Sequence, residues 1–365
     1  MITGHGGNVK SLAQRSGCPI NEIIDMSCNL NPLGPPSGLE DYLMENIKEI
    51  RSLPEPDAGE MVRKFAGYHD IDHKRVMAGN GTTSFIYTIP AALKSKHLLI
   101  AGPSYADYRD GCIMHNTAFS FCLAEKKLLF QPDLSKISEL ISDKKNEIDT
   151  VIICNPNNPT GTLVQKSNII ELLEKHPDTF FVIDESYLPF VDNAEEISLT
   201  AETGFPNLMV LSSMSKIFRI PGLRTGFLSA HPDIVENFMK YYQPWSVNAL
   251  AQAAVIYLLE NRDKTDSFIK KSRKFIKKEK QLFYDSLSSC SGIRLFASET
   301  YFIIAELLND ITADKVCRIV GDEKILIRNC ANFHGLSDRF VRFSLKERKI
   351  NMKLAGILKK IEEIK

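Results

Sequence analysis

The sequence lacks several features that would assign it to common protein classes. None of its eight cysteines forms a Cys-x-x-Cys pair, so the spacing predicts neither a zinc site nor a thiol redox motif, and we expect no metal. The 45 basic and 45 acidic side chains cancel, which argues against bulk electrostatic binding to nucleic acid or an anionic membrane. No apolar run approaches the ~20 residues of a membrane span, and the first residues lack a signal-peptide pattern. We therefore expect a cytoplasmic protein without nucleic-acid or membrane partners.

Short apolar runs alternate with helical patterns in the middle of the chain. Five runs rich in Val, Ile, Leu and Phe show no polar alternation: residues 98–101, 151–154, 180–183, 208–212 and 227–230. Strands that are buried on both faces have this composition, and helices must cover those faces. The middle is therefore predicted to be α/β with a mainly parallel sheet.

The last third of the chain has a different pattern. Two long helical stretches, 246–260 and 267–287, are followed by strand patterns at 301–306, 325–328 and 340–344 and by a closing helix at 352–364. A chain of 365 residues is long for one compact core, so two subdomains are expected.

Polar residues with distinctive chemistry follow two of the predicted strands. Lys216 lies in a Ser-x-Ser-Lys stretch after 208–212, where burial can lower the pKa of the amine and make it nucleophilic; the hydroxyls of Ser213 and Ser215 can donate to a phosphate. Asp184 ends an apolar strand, and a protonated pyridine nitrogen would satisfy its charge, although a capping aspartate is the alternative. Tyr187 is either a donor to the phenolic oxygen of such a ring or a core tyrosine.

Three further stretches are suited to binding a phosphate or another polar ligand. Gly81 and Thr82 lie in Gly-Asn-Gly-Thr-Thr before a helical pattern at 84–93, where two glycines and a helix start favour an anion, or merely cap the helix. Arg224, in a glycine-flanked turn, can add a charge-assisted bond or lie on the surface. Asn158, in Asn-Pro-Thr-Gly, follows strand 151–154, where α/β sheets bind ligands.

The order of these motifs along the chain resembles the fold-type I pyridoxal-phosphate enzymes of the class I/II aminotransferase family. The resemblance spans nearly the whole chain. It implies a large domain at 46–262, with a mainly parallel sheet flanked by helices, and a smaller α+β domain built from both chain ends, 1–45 and 263–365. It also implies pyridoxal 5'-phosphate as the cofactor and a homodimer with its active site at the twofold interface.

The resemblance also implies a role for each motif residue. Lys216 would hold the cofactor as a Schiff base, Asp184 would pair with the pyridine nitrogen, and Tyr187 would complete the catalytic set. Asn158 and Tyr187 would contact the phenolic oxygen, and Tyr105 would stack on the ring. The cofactor phosphate would be held by Gly81, Thr82, Ser213, Ser215 and Arg224.

Four more segments resemble one subgroup, the threonine-phosphate decarboxylases of cobalamin biosynthesis. They are His-Gly-Gly-Asn from His5, Ser-Cys-Asn-Leu-Asn-Pro-Leu-Gly from Ser27, Pro-Trp-Ser-Val-Asn-Ala-Leu-Ala from Pro244 and Ile-Arg-Asn-Cys-Ala-Asn from Ile327. The resemblance implies decarboxylation of O-phospho-L-threonine or O-phospho-L-serine; no residue separates the two. Arg342 would bind the substrate carboxylate, Asn158 would lie beside the substrate, and Arg328, His5, Gly6 and Asn29 would surround its phosphate.

Alternatives remain beside this interpretation. The related histidinol-phosphate aminotransferases also handle a phosphorylated amine, and without the resemblance both arginines would be read as surface ion-pair residues. A pyridoxal-phosphate-binding transcription regulator would need a DNA-binding domain ahead of the fold. Two departures stand out: Leu53 occupies the place of a tyrosine that often reaches the other subunit's cofactor, and Arg219 has no evident role.

Overall fold

The structure, a computed structural model, describes residues 6–360. Its strands are β1 (Ile24–Asp25), β2 (Val76–Asn80), β3 (His97–Gly102), β4 (Ala118–Leu123), β5 (Thr150–Cys154), β6 (Phe180–Asp184), β7 (Leu208–Ser212), β8 (Thr225–Ala230), β9 (Ile293–Leu295), β10 (Phe302–Leu307), β11 (Ile325–Leu326), β12 (Arg328–Asn329) and β13 (Phe340–Ser344). Its α-helices are α1 (Val9–Ser16), α2 (Leu39–Glu45), α3 (Gly59–Tyr68), α4 (Thr82–Ala92), α5 (Ala106–Met114), α6 (Leu134–Ser142), α7 (Lys166–Lys175), α8 (Ala194–Ile197), α9 (Met214–Ile217), α10 (Pro232–Met239), α11 (Ala249–Glu260), α12 (Arg262–Leu287), α13 (Ala313–Asp322) and α14 (Arg348–Lys360).

A seven-stranded sheet with the order β2-β8-β7-β6-β5-β3-β4 forms the centre of the fold. The five strands from β7 to β4 are parallel, and β8 runs antiparallel to both β7 and β2. The predicted mainly parallel sheet is confirmed, and all five apolar runs are strands within it. The sequence did not reveal β2, which contains a glycine and an asparagine, or the edge strand β4, which is mostly half-exposed and therefore carries no uniform apolar run.

Both faces of the sheet are covered by helices, which explains why the strands lack polar alternation. Successive strand residues point to opposite faces. Ile152 and Val182 pack with residues of α4, α5 and α10, whereas Val151 and Phe181 pack with residues of α6 and α7.

The two ends of the chain come together in smaller sheets. An antiparallel sheet has the order β12-β13-β10-β9, and β1 pairs in parallel with β11. The strand predicted at 325–328 is in fact two strands, because Ile325 pairs with β1 while Arg328 pairs with β13. Every strand of the seven-stranded sheet lies within 46–262, and the domain boundaries themselves remain a prediction. No helix in the described range is long and apolar enough to cross a membrane.

Strand direction gathers the polar motifs at one edge of the seven-stranded sheet. Cys154 is in register with Asp184, and Asp184 with Leu211, so β5, β6 and β7 end together. The antiparallel strand β8 begins at this edge and is paired there with the end of β2, where Asn80 is opposite Thr225. The segments that follow β2, β5, β6 and β7 therefore share one edge.

Candidate active site

Lys216 lies on α9, directly after β7. Burial lowers the pKa of its ammonium group, and the Arg224 guanidinium lowers it further because a second positive charge is unfavourable nearby. Its backbone oxygen accepts a hydrogen bond from the Asn31 amide at 3.2 Å. A lysine with a lowered pKa has more of its amine in the neutral form that attacks a carbonyl group.

Asp184 ends β6 as a buried carboxylate with only 4% of its surface exposed. Its Oδ2 accepts from the Tyr108 hydroxyl at 2.7 Å, and its Oδ1 accepts from the Ser186 amide at 2.9 Å. Sequence reasoning missed Tyr108, although Tyr105 and Tyr108 are three residues apart at the start of α5, a spacing that brings side chains together. The two rings pack edge to face at 5.8 Å.

The start of α4 and Arg224 form a tight cradle. Gly81 has φ +73°, and a Cβ at this position would lie 2.7 Å from Arg224 Nη2; a Cβ at Gly226 would lie 2.4 Å from the Thr82 amide. The helix begins at Thr82 rather than at the predicted residue 84, so the amide groups of Thr82 and Thr83 belong to its free first turn. Backbone amides at a helix start beside a guanidinium make a site for a phosphate.

The two serines before Lys216 differ in their surroundings. Ser213 is buried and directly precedes α9. The Ser215 hydroxyl donates to the Thr225 carbonyl oxygen at 3.1 Å and accepts from the Thr225 amide at 3.2 Å. The Ser215 hydroxyl therefore connects α9 to β8, and a hydrogen bond from this hydroxyl to a phosphate would compete with the one it donates to Thr225.

Arg342 and Arg328 face each other across two strands of the small sheet. They are direct partners in the antiparallel register of β12 and β13, so their side chains share one face of the sheet. Arg342 is 4% exposed. Burial and the charge of Arg342 lower the pKa of Arg328. Like charges directly opposite each other are destabilising, and an anion between them would relieve that repulsion.

Arg342 is held in place by hydrogen bonds from both ends of its guanidinium group. Nη1 donates to Asn158 Oδ1, and Nη2 donates to the Ser27 carbonyl oxygen at 2.7 Å. Its Nε is buried without a hydrogen-bond partner within residues 6–360. Arg328 donates to Asn332 Oδ1 and lies 5.3 Å from the Phe333 ring, so it has a different set of neighbours.

Asn29 connects the small sheet to Tyr187. Its Nδ2 donates to the Tyr187 hydroxyl at 3.2 Å, and its Oδ1 accepts from Ser344 Oγ at 2.9 Å. Burial raises the pKa of Tyr187, which keeps the phenol protonated. A Cβ at Gly6 would lie 2.6 Å from the Ser27 carbonyl oxygen, so Gly6 reaches the Arg342 side of the site. His5 lies outside the described residues.

Comparison with known proteins decides the family. The model of aminotransferase class I and II matches residues 36–356. The chain belongs to this family. Enzymes of this family depend on pyridoxal phosphate, and the chain is such an enzyme.

Several relatives of the class I and II family are similar over most of this chain. The bifunctional adenosylcobalamin biosynthesis protein CobDQ of Leptospira interrogans is 33% identical over 96% of this chain, which spans only 40% of that protein's length. The crystal structure of L-threonine-O-3-phosphate decarboxylase from Porphyromonas gingivalis is 31% identical, with a TM-score of 0.83 over 93% of this chain and 100% of that one. The histidinol-phosphate aminotransferase from Clostridium acetobutylicum is 30% identical, with a TM-score of 0.84 over 93% and 99%.

The site of this family member fits pyridoxal phosphate on its own geometry. A buried aspartate ends a strand, a lysine with a lowered pKa follows the next strand, and the cradle at Gly81 is so tight that a Cβ would collide with Arg224. Asn158 adds an amide whose oxygen is held by Arg342. These groups match, in turn, the ring nitrogen, aldehyde, phosphate and phenolic oxygen of the cofactor.

Two departures from the expected pattern have a clear position in the structure. Leu53 is 76% exposed, so most of its side chain lies on the surface of this chain. Arg219 is exposed with φ 50°, and its Nη1 lies 3.5 Å from the carbonyl oxygens of Asn31 and Pro32. Arg219 thus borders the loop next to Lys216, and nothing in the structure gives it a chemical role.

Proposed function

We propose that this enzyme removes the carboxyl group of an O-phospho-L-amino acid, either O-phospho-L-threonine or O-phospho-L-serine. The product would be the amino-alcohol phosphate used in cobalamin biosynthesis. The observation that carries the proposal is the pair Arg328 and Arg342, opposed on one sheet face. The relatives named for cobalamin biosynthesis and for threonine-phosphate decarboxylation support it.

A substrate with two anionic ends suits these arginines. Arg342 would bind the carboxylate with its guanidinium group, whose Nε has no partner within the described residues, while Asn158 lies at its side. Arg328 would bind the phosphate, together with Gly6, Asn29 and His5. Guanidinium groups bind both kinds of anion through charge-assisted hydrogen bonds.

The cofactor-binding roles proposed for the motif residues follow from the same geometry. Lys216 would bind the cofactor covalently, Asp184 would hold the ring nitrogen protonated, and Tyr105 would lie on the ring. Asn158 and Tyr187 would donate to the phenolic oxygen, and the phosphate would be held by Gly81, Thr82, Ser213, Ser215 and Arg224. When bound, pyridoxal phosphate supplies an electron-accepting ring conjugated to the substrate's α-carbon.

The chain's own groups then control the outcome at that carbon. The bond between Cα and the carboxylate breaks, carbon dioxide leaves without the electron pair, and Cα takes up one proton. The Lys216 ammonium is the proposed proton donor, and its lowered pKa makes that proton easier to release. Anchoring both anions would fix which bond at Cα is oriented for cleavage, and such orientation can be worth ~7–11 kcal/mol.

The second candidate is a histidinol-phosphate aminotransferase, favoured by the 30% identity to one such enzyme. Purified protein is incubated with each phosphoamino acid, with and without 2-oxoglutarate, and Lys216→Ala serves as the control. We expect carbon dioxide and a phosphorylated amino alcohol without any keto acid. Strict dependence on 2-oxoglutarate, with glutamate formed, would establish transamination instead.

The cytoplasmic location, the homodimer and the division at residues 46 and 262 also remain proposals. Dimerisation is supported by the exposed Leu53 and by the exposed apolar side chains of Met44, Ile47 and Ile50 shortly before it in the sequence, since exposed apolar surface is typical of an interface.

A further inference from the structure

Cys28 lies within a segment whose other residues contact the catalytic groups. The Ser27 carbonyl oxygen accepts from Arg342 Nη2 at 2.7 Å, and Asn29 Nδ2 donates to the Tyr187 hydroxyl at 3.2 Å. The Asn31 amide donates to the Lys216 backbone oxygen. The segment 27–31 therefore runs along the site from Arg342 to Lys216, with Cys28 between them. None of the motifs identified in the sequence assigned a role to this residue.

The Cys28 thiol is partly buried and confined on one side by Gly7. A Cβ at Gly7, which has φ +87°, would lie 2.7 Å from Cys28 Sγ. Burial and the neighbouring Asp25 carboxylate raise the pKa of the thiol to about 11. The side chain therefore stays neutral and offers a small, polarizable surface rather than a nucleophile.

Three positively charged side chains of the site interact electrostatically with this thiol. Cys28 lies within electrostatic range of Lys216 and Arg342, and also of Arg328. Cys28 therefore interacts with the lysine proposed to react and with both arginines proposed to bind the substrate's anionic ends.

Two buried polar groups, one on Arg342 and one on Tyr301, favour the binding of a polar ligand in this part of the site. Arg342 Nε and the Tyr301 hydroxyl have no hydrogen-bond partner within the described part of the chain, although Arg342 is 4% and Tyr301 0% exposed. Tyr301 interacts electrostatically with both Arg342 and Cys28. Leaving a buried polar group without a partner is unfavourable, so a ligand that supplies partners to both groups would stabilise this part of the site.

We propose that the Cys28 thiol packs against the β-carbon of the substrate and limits the size of the substituent there, thereby setting the preference between O-phosphothreonine and O-phosphoserine. The inference rests on the proposed function. Cα must lie at the Lys216 amine, and the carboxylate and phosphate at Arg342 and Arg328. The β-carbon, which joins Cα to the phosphate oxygen, would then lie between these groups, in the part of the site bordered by the segment 27–31 that contains Cys28. The two substrates differ by one methyl group at that carbon.

Changing the size of residue 28 tests this directly. In Cys28→Val the added methyl should lower kcat/KM for phosphothreonine about tenfold or more relative to phosphoserine, since one methyl in a pocket is worth roughly 10- to 200-fold. Cys28→Ala should shift the same ratio toward phosphothreonine. Cys18→Val is the matched control, because Cys18 packs beside α1, in a separate cluster with Leu12 and Ala13. Its ratio should equal that of the wild type.

A binding measurement separates this inference from the proposed function. The ratio of Kd values for the two phosphoamino acids is read from the change in cofactor absorbance when each is added to the cofactor-loaded enzyme. An unchanged ratio in both Cys28 variants, with carbon dioxide still formed, overturns the inference alone. A shifted ratio with glutamate formed from 2-oxoglutarate overturns the decarboxylase proposal and leaves the role of Cys28 intact. If neither compound binds the wild type, both are wrong.

Discussion

Replacing Arg342 by alanine should remove the proposed counter-charge of the substrate carboxylate from a buried position. Arg342 is 4% exposed and already oriented by Asn158 and Ser27, so little of its binding energy is spent on ordering the side chain. Removing one partner of a buried, hydrogen-bonded charge pair costs about 2–5 kcal/mol. At 1.36 kcal/mol per tenfold change, kcat/KM should fall roughly 30- to 5,000-fold.

The conservative change Arg342→Lys should recover part of this loss. Lysine keeps the positive charge but cannot contact Asn158, Ser27 and a carboxylate together through a planar fork. A cost of about 1–2 kcal/mol corresponds to a decrease of roughly 5- to 30-fold, since one charge-assisted hydrogen bond contributes about this much. The graded series of wild type, lysine and alanine separates loss of charge from loss of geometry.

The Arg328→Ala variant should lose activity in a different way from the Arg342 variants. Because Arg328 is assigned to the phosphate, kcat/KM should fall for phosphorylated amino acids and change little for free serine or threonine. Arg339→Ala is the matched control: Arg339 directly precedes β13 and forms an ion pair with the exposed Asp310. Each variant is assayed by carbon dioxide release, with thermal unfolding to verify folding. Wild-type kcat/KM in folded Arg342→Ala, or full retention of phosphate discrimination in Arg328→Ala, would refute the assignment.

Three other predictions concern the cofactor, pH and assembly. Borohydride reduction should fix pyridoxal phosphate on Lys216, and Lys216→Ala should abolish that label; label on another lysine would contradict the assignment. Burial lowers the pKa of His69 from 6.5 to about 4, so protonation favours the unfolded chain, and the free energy of unfolding should fall as the pH drops from 6.5 to 4. Urea titrations of wild type and His69→Phe should show a weaker pH dependence in the variant, and equal slopes would disprove the contribution. Dilution should decrease cofactor affinity and activity together if the active site requires a dimer, and sedimentation with activity measurements would detect a fully active monomer.

The central sheet could be predicted because strands that are buried on both faces consist almost entirely of apolar residues. The runs at 98–101, 151–154 and 180–183 are apolar throughout, since residues such as Ile152 and Val151 face opposite helical layers. Strand direction could not be predicted in the same way, because the composition of a strand does not depend on its direction. The apolar strand β8 resembles its parallel neighbours in composition but runs antiparallel to β7.

The positions of Lys216, Asp184, Asn158 and Arg224 were likewise determined by sequence, since each follows or precedes a strand whose end reaches the same edge. The contacts that give these residues their chemistry are long-range and came only from the tertiary structure. Arg342 bonds to Ser27 across 315 positions. Strand register and chain crossing set such contacts, and neither is encoded by spacing along the chain.

The clearest examples are contacts that no local pattern predicts. Tyr108 donates to Asp184 because α5 packs on the face of the sheet that carries Val182. Ser215 is joined to Thr225 because β8 runs back antiparallel to β7. Arg328 faces Arg342 only through the register of β12 and β13. The segment that contains Cys28 reaches the site through long-range contacts, such as the hydrogen bond from the Ser344 amide to the Met26 carbonyl oxygen. The sequence by itself determined which side chains could do the chemistry, since residue type and strand ends are local properties. The tertiary structure decided which of them meet, because two groups hundreds of residues apart become neighbours only when the sheets pair and pack.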